Sequence, residues 1–317
     1  MKKHFDVCCV GQSCTDVFVR NVDHIDYSHI LYLEEASLTI GGCALNVAVD
    51  LKRLGFDVAL ISKVGSDSFG EVLKSILFKT GVDVTGVIED TSTCSSMSVG
   101  LIAASGERSL LHCPGTNDTF CFDDVDLSII DDSKVVFFGG GLTMKRFDGE
   151  DAARVLAYAQ SKGCITGMDT TWDYSGKWME NVTPCLPHLD WFVPSIEEAE
   201  QMLGTRDQEV LAKEFMRLGA KNVAIKKGAN GVYVRCADGR SFERGIYQVK
   251  CLNAAGAGDA WCAGFIAGLI KGLEIEECAM LGAANAAHCI QEMGTTTGIR
   301  SYEETLEFMR REPCVIV

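Results

Sequence analysis

The chain has 317 residues, 47% of them hydrophobic, with only five prolines and a formal net charge of −15. That length suits one large α/β domain or two smaller ones, and the composition supplies a sizeable core and excludes a disordered chain. The acidic balance argues against a nucleic-acid or anionic-membrane partner, since those surfaces are bound through a basic face.

The first residues, Met1 to Asp6, run straight into a strand expected over 5–10, with no apolar signal region before it. No later stretch is apolar over a membrane-spanning length. The strand leaves through Val10-Gly11-Gln12-Ser13-Cys14-Thr15-Asp16. Ligands of parallel α/β sheets bind outside the carboxyl ends of the strands, so Asp16 is placed to accept from hydroxyl groups of a ligand. A turn-forming aspartate reads equally well. Next comes Gly41-Gly42-Cys43-Ala44-Leu45-Asn46, opening a helix over 43–54 that Gly55 is placed to cap. Gly42 lets a small polar ligand approach the backbone, and Asn46 offers a donor and an acceptor to vicinal hydroxyls. Local capping and a plain turn are the simpler alternative.

A strand over 58–62 and a helix over 68–79 follow. Residues 16–40 and 94–112 break the alternation of strands and helices. Their short runs have period-two character, such as Ser96-Met97-Ser98-Val99-Gly100-Leu101, and predict a small separate sheet acting as a lid. Arg108 in that segment either reaches over the ligand or is a solvated arginine, and His112 reads as structural. Further strands are expected at 135–138, 164–168, 190–193 and 222–226, with helices at 149–161, 196–203 and 208–217. This order points to a mainly parallel sheet covered on both faces. Gly139-Gly140-Gly141 and Asp169 each follow a strand at the same end of the sheet, where the bare glycine backbone borders the ligand pocket and Asp169 lies near the ligand or a transferred phosphate. The segment Lys226-Lys227-Gly228-Ala229-Asn230-Gly231 joins two strands through a glycine-bounded turn. It either lays its backbone along a nucleotide, with a lysine near the phosphates, or is an ordinary hairpin.

The most telling stretch is Asn253-Ala254-Ala255-Gly256-Ala257-Gly258-Asp259, which opens a helix over 258–271. Glycines allow a tight turn that aims N–H groups at one point, and the helix adds its positive end there. An aspartate at that mouth suits phosphoryl transfer to a hydroxyl: the N–H groups hold phosphoryl oxygens and the carboxylate takes the alcohol's proton. The alternative is a closely packed helix start with Asp259 as a dipole partner. A last helix, 275–291, carries Asn285, a candidate neighbour of a nucleotide base. The fifteen cysteines are odd in number and sit largely within apolar runs, with no Cys-x-x-Cys pair and no histidines at ligand spacing. They read as reduced thiols of a cytoplasmic protein.

In this order and spacing, the motifs together with Lys63-Val64-Gly65-Ser66-Asp67-Ser68-Phe69-Gly70 resemble the ribokinase-like (PfkB) carbohydrate kinase family over about residues 5–300. The resemblance implies a single domain over 1–317: a three-layer α/β/α fold with a mainly parallel central sheet and a small β-sheet lid. It implies Asp259 as general base, with Gly256, Ala257 and Gly258 as the anion hole. Asp16, Gly42 and Asn46 match sugar-binding positions, and Gly228 and Gly231 match the nucleotide loop. In Pro194-Ser195-Ile196-Glu197-Glu198, Glu198 falls at the family's acidic position for Mg²⁺, acting through water, while Ser195 replaces the usual asparagine. Asn253 and Ala255 replace an Asp and a Thr that accompany a monovalent cation, so little potassium dependence is expected. The activity implied is ATP- and Mg²⁺-dependent phosphorylation of a hydroxyl on a small sugar. A nucleoside kinase of the same family is the nearest rival, and a non-catalytic sugar or nucleotide sensor the rival from another class. Exposed lid strand edges make a homodimer through the lid the expected assembly.

Overall fold

The computed structural model describes residues 3–33, 35–104 and 108–315. In β1 (Phe5–Gly11), Val7 and Cys9 face one way, while Cys8 and Val10 face the other, and all four are inaccessible to solvent. A strand buried on both faces reads as a continuous apolar run, and it belongs in the middle of a covered sheet. The same holds for β4 (Val58–Gly65) and β8 (Ser133–Gly141), its two neighbours.

The remaining strands are β2 (Cys14–Arg20), β3 (Ala36–Gly41), β5 (Asp83–Asp90), β6 (Met97–Ile102) and β7 (Arg108–Cys113). After them come β9 (Ile165–Thr170), β10 (Trp191–Phe192), β11 (Asn222–Lys226), β12 (Val232–Arg235) and β13 (Ser241–Arg244). Nine strands form the central sheet in the order β13-β12-β11-β10-β9-β8-β1-β4-β5. From β11 to β5 every pairing is parallel, and β12 and β13 extend the far edge antiparallel. The small sheet expected over the two irregular regions is present, in the order β3-β2-β6-β7. The described residues between β2 and β3 carry no strand, so the small sheet is shorter than the 16–40 segment.

Among the described residues the α-helices are α1 (Cys43–Arg53), α2 (Ser68–Thr80), α3 (Leu127–Asp131), α4 (Glu150–Ser161), α5 (Met179–Val182), α6 (Ile196–Leu203), α7 (Gln208–Arg217), α8 (Ala257–Lys271), α9 (Ile275–Cys289) and α10 (Tyr302–Arg311). They divide between the two faces of the central sheet. Leu45 and Leu51 of α1, Leu73 and Leu77 of α2, Phe265 of α8 and Leu281 of α9 share one apolar cluster with Val7, Leu60 and Phe137. Leu156 of α4, Met202 of α6 and Phe215 of α7 share the other with Val10, Ile61 and Phe138. Strand alternation thus sorts the core into two layers, giving the three-layer α/β/α arrangement.

The sequence pattern does not anticipate β5, α10, the short α3 and α5, or β13. Strand β5 contains Asp83, Gly86 and Asp90 and lies at the sheet edge, where one buried face suffices and propensity is weak. Helix α10 packs on α9 through a narrow stripe, with Thr305 and Met309 buried. No helix among the described residues is long and apolar enough to cross a membrane.

Candidate active site

The exit of β1 and the start of α1 are built against each other. Gly42 has φ of 93° and no room for a Cβ, which would meet the Gln12 carbonyl oxygen at 2.6 Å. The Leu45 amide donates to that same carbonyl at 3.3 Å, seating the first turn of α1 over the carboxyl end of β1. Asp16 on β2 packs against Gly41, so its carboxylate borders this turn. Ser98 and His112, hydrogen-bonded to each other at 3.1 Å, lie beside it on β6 and β7. Burial raises the Asp16 carboxyl, while Cys14, Ser98 and His112 pull it back. His112 is held below its ordinary value by burial, against the pull of Asp16 and Asp118.

Helix α8 starts at the same place from the other side. Gly256 is its N-cap, with φ of 80° and the Thr295 carbonyl where a Cβ would stand. Asp259 follows in the first turn and is buried. Its Oδ2 accepts a hydrogen bond from Asn46 Nδ2 at 2.7 Å, across 213 residues of sequence. Thr295 Oγ1, 3.0 Å from Asn46 Oδ1, orients the amide so that its NH₂ faces the carboxylate. Burial pushes the Asp259 carboxyl above its ordinary value, and Asn46, Lys226 and Cys43 moderate the shift. Sequence reasoning passed over Cys43 and Thr295 as partners here, because neither side chain has a motif.

Asp50 was also passed over. It lies one turn after Asn46 in α1, is fully buried, and neither oxygen has a hydrogen-bond partner among the described residues. Burial and the proximity of Asp259 raise its carboxyl well above the ordinary carboxylate range. An acidic residue on the apolar face of Val47-Ala48-Val49-Asp50-Leu51 is the signal that marks it.

Lys226, at the end of β11, reaches the mouth of α8. Its Nζ lies 3.3 Å from where a Cβ on Gly258 would stand. It pairs with Asp169 Oδ1 at 2.6 Å, with both side chains nearly buried. Burial alone would lower the Lys226 ammonium, but Asp169, Cys262 and Glu198 hold it firmly protonated. Asp169 was expected near the ligand or the transferred phosphate. Its oxygens are engaged by Lys226, the Thr170 amide at 2.8 Å and the Cys262 thiol at 3.7 Å. Glu198 caps its own helix, accepting from the Ser195 amide and from Thr170 Oγ1, each at 2.9 Å. Burial and Asp169 raise it.

Beside Lys226 opens a groove of about 740 Å³ lined by Gly228, Gly231, Tyr247, Gly258, Trp261 and Ala287, among others. Lys227 turns away from it to pair with Glu243. Asn285, expected near a base, is fully buried and donates to the Ala260 carbonyl at 2.8 Å. The helical period accounts for this: Ala283, Ala286 and Ala287 face the groove, and Asn285 faces α8. The Arg108 backbone begins β7, while its side chain lies outside what is described. The described residues contain no group of three or more His, Cys, Asp or Glu side chains that could hold a metal ion.

A helix N-terminus, a lysine and a carboxylate therefore meet beside an open groove. Residues 4–301 match the pfkB family carbohydrate kinase model. The chain belongs to that family. Among its relatives, a 5-dehydro-2-deoxygluconokinase from Clostridium beijerinckii is 30% identical, the match covering 85% of this chain and 86% of that protein. An uncharacterized sugar kinase from Archaeoglobus fulgidus is 29% identical over 78% of this chain and 97% of its own length. In fold, this carbohydrate kinase matches the Arabidopsis thaliana ribokinase solved with ribose and ATP, at TM-score 0.83 and 19% identity, over 96% and 99% of the two chains. A nucleoside kinase from Methanocaldococcus jannaschii matches at TM-score 0.79 and 17% identity, over 98% and 100%. The activity that follows is that of an ATP-dependent carbohydrate kinase.

Replacing Lys226 by Met leaves Asp169 buried without its cation. Breaking such a pair costs about 3–5 kcal/mol. Chemical denaturation is expected to show the Lys226→Met variant destabilised on that scale, and the Lys226→Met/Asp169→Asn double variant distinctly less so. Equal losses in the two would mean that the lysine contributes by packing alone.

Proposed function

We propose that this kinase transfers the γ-phosphoryl group of ATP to a hydroxyl of a small sugar, with Asp259 as the general base. The observation that carries the reading is the Asn46–Asp259 contact at the N-terminus of α8, where a carboxylate and an anion-binding helix end share one point. ATP fits the groove beside Lys226, whose glycine backbone at 228 and 231 and flat Trp261 wall suit a nucleotide. Mg²⁺ bound to the phosphates would supply charge neutralisation there. Glu198 would take part through water, since its Oε2 is already engaged in the cap of α6.

On the sugar side, Asp16, Asn46 and the Gly42 backbone offer acceptors and donors for adjacent hydroxyls. The acceptor hydroxyl would lie against Asp259, which removes its proton as the oxygen attacks. The N–H groups of Gly256, Ala257 and Gly258 and the Lys226 ammonium receive the transferred group and stabilise its oxygens. The small sheet would exclude water, the competing acceptor. A screen of ADP release over neutral sugars, sugar acids and nucleosides tests the substrate class. ADP formed with nucleosides alone would replace the sugar by a nucleoside, and none formed with any would leave a sensor.

The same reading includes a homodimer through the small sheet, supported by exposed Leu38, Leu110 and Leu111 on its edge strands and Tyr27, Ile30 and Tyr32 beside them. Sedimentation velocity should give the mass of two chains, and a Leu110→Lys/Leu111→Lys variant should run as one. A monomeric parent protein would remove this part.

Potassium should matter little. Asn253 Nδ2 donates to the Gly294 carbonyl at 3.3 Å, and its Oδ1 accepts from the Ala255 amide at 3.1 Å, so a neutral amide closes the loop that a cation would otherwise bridge. Rates in potassium, sodium and tetramethylammonium salts at equal ionic strength should agree. A potassium-specific activation would contradict the argument.

Asp259→Asn keeps size and loses basicity, and it should lower kcat by roughly 10²–10⁴ while leaving the fold intact. A base must be ionised to act, and this carboxyl is raised above its usual value. Activity of the parent enzyme should therefore fall, as pH is lowered, at a pH above that of an ordinary carboxylate. A variant with near-parental kcat would reduce Asp259 to a dipole partner of α8.

A further inference from the structure

The strands that carry the chain into and out of the outer half of the small sheet are flanked by two cysteines. Cys94 lies three residues before β6, and Cys113 is the last residue of β7. Their sulfurs are 3.9 Å apart, with Cys94 exposed and Cys113 half-buried. Most of the other cysteines are buried. The backbone at both positions is anchored to the main body. The Cys94 carbonyl accepts from the Thr116 amide at 2.9 Å, and the Cys113 carbonyl from Ser96 Oγ at 3.3 Å. Between them, the Ser95 amide and hydroxyl donate to Asp67, the N-cap of α2, at 2.8 and 2.7 Å. Two thiols are thus held in contact on fixed backbone. A disulfide needs about 2.05 Å between sulfurs, a closure within reach of side-chain rotation.

We propose that Cys94 and Cys113 form a reversible disulfide that staples the base of the β6–β7 hairpin. The oxidant is a low-molecular-weight disulfide such as glutathione disulfide. The Cys94 thiolate attacks one of its sulfurs and expels a glutathione thiolate. The Cys113 thiolate then attacks Cys94 Sγ in the mixed disulfide, forming the protein S–S bond and expelling the second glutathione. The protein pair loses two protons and two electrons, and both appear in two glutathione thiols. Partial burial, Cys113 and Asp67 hold the Cys94 thiol above its ordinary range, so the first step speeds up as pH rises. The staple fixes the register in which Met97 opposes Cys113 and Ser98 opposes His112, the pair that borders Asp16. Its effect on catalysis rests on the sugar site proposed above, whereas the bond itself does not.

The test is incubation of the full chain with glutathione disulfide, alkylation of remaining thiols, and peptide mapping by mass spectrometry. The Cys94 and Cys113 peptides should appear joined, about 2 Da lighter than the sum of the two thiol forms, and should separate on adding dithiothreitol. The Cys113→Ser variant, close to isosteric, should retain glutathione on Cys94. Wild-type protein with glutathione stranded on Cys94 and Cys113 still open to alkylation would overturn the proposal. Oxidised wild type should also turn over more slowly than the oxidised Cys113→Ser variant. A joined pair with unchanged turnover would overturn only the link to the sugar site.

Discussion

A carboxylate removed from water needs donors, and Asp259 finds one on a helix 213 residues away. The single contact from Asn46 ties the first turn of α1 to the first turn of α8. Both helices start at the same end of the sheet, α1 over the exit of β1 and α8 beside the exit of β11. Their positive ends converge there, which lowers the cost of placing negative charge at that point. The rest of the site is arranged around this convergence, with Asp16 and the small sheet on one side and an open groove toward β11 and α9 on the other.

The charge pattern follows the same logic. A chain with a formal charge of −15 has little long-range attraction for a polyphosphate, so the site depends on fixed local groups. Lys226 is the cation at the mouth of α8. Asp169 holds it in place, and that carboxylate and Glu198 favour its charged form. Asp50, buried one turn after Asn46, is likewise pushed well above the ordinary carboxylate range by burial and by Asp259.

Much of this was legible in the sequence, though unevenly. The apolar double-faced strands, the two glycine-opened helices and the small sheet all rest on local patterns a few residues long, and they appear as expected. Edge strand β5 was not legible, because its alternation is diluted by Asp83, Gly86 and Asp90. Asn285 shows the limit of placing a residue from its helix alone. Which side of α9 faces the groove depends on the packing of α9 against α8, and that angle is not written in the α9 segment. Lys226 and Lys227 were indistinguishable as neighbours on a strand end. Period-two geometry sends one toward α8 and the other toward Glu243.

By itself, the sequence determined where backbone must turn tightly and where a helix must begin, because glycine and apolar periodicity act through steric and solvation effects local to the chain. It also placed Asp16, Asn46 and Asp259 at the ends of elements, where parallel sheets leave their clefts. The tertiary structure alone decided the partners: Asn46 with Asp259, Lys226 with Asp169, Cys94 with Cys113. Hydrogen bonds and ion pairs between distant segments depend on ångström-scale approach, and only the packing of whole layers sets that distance.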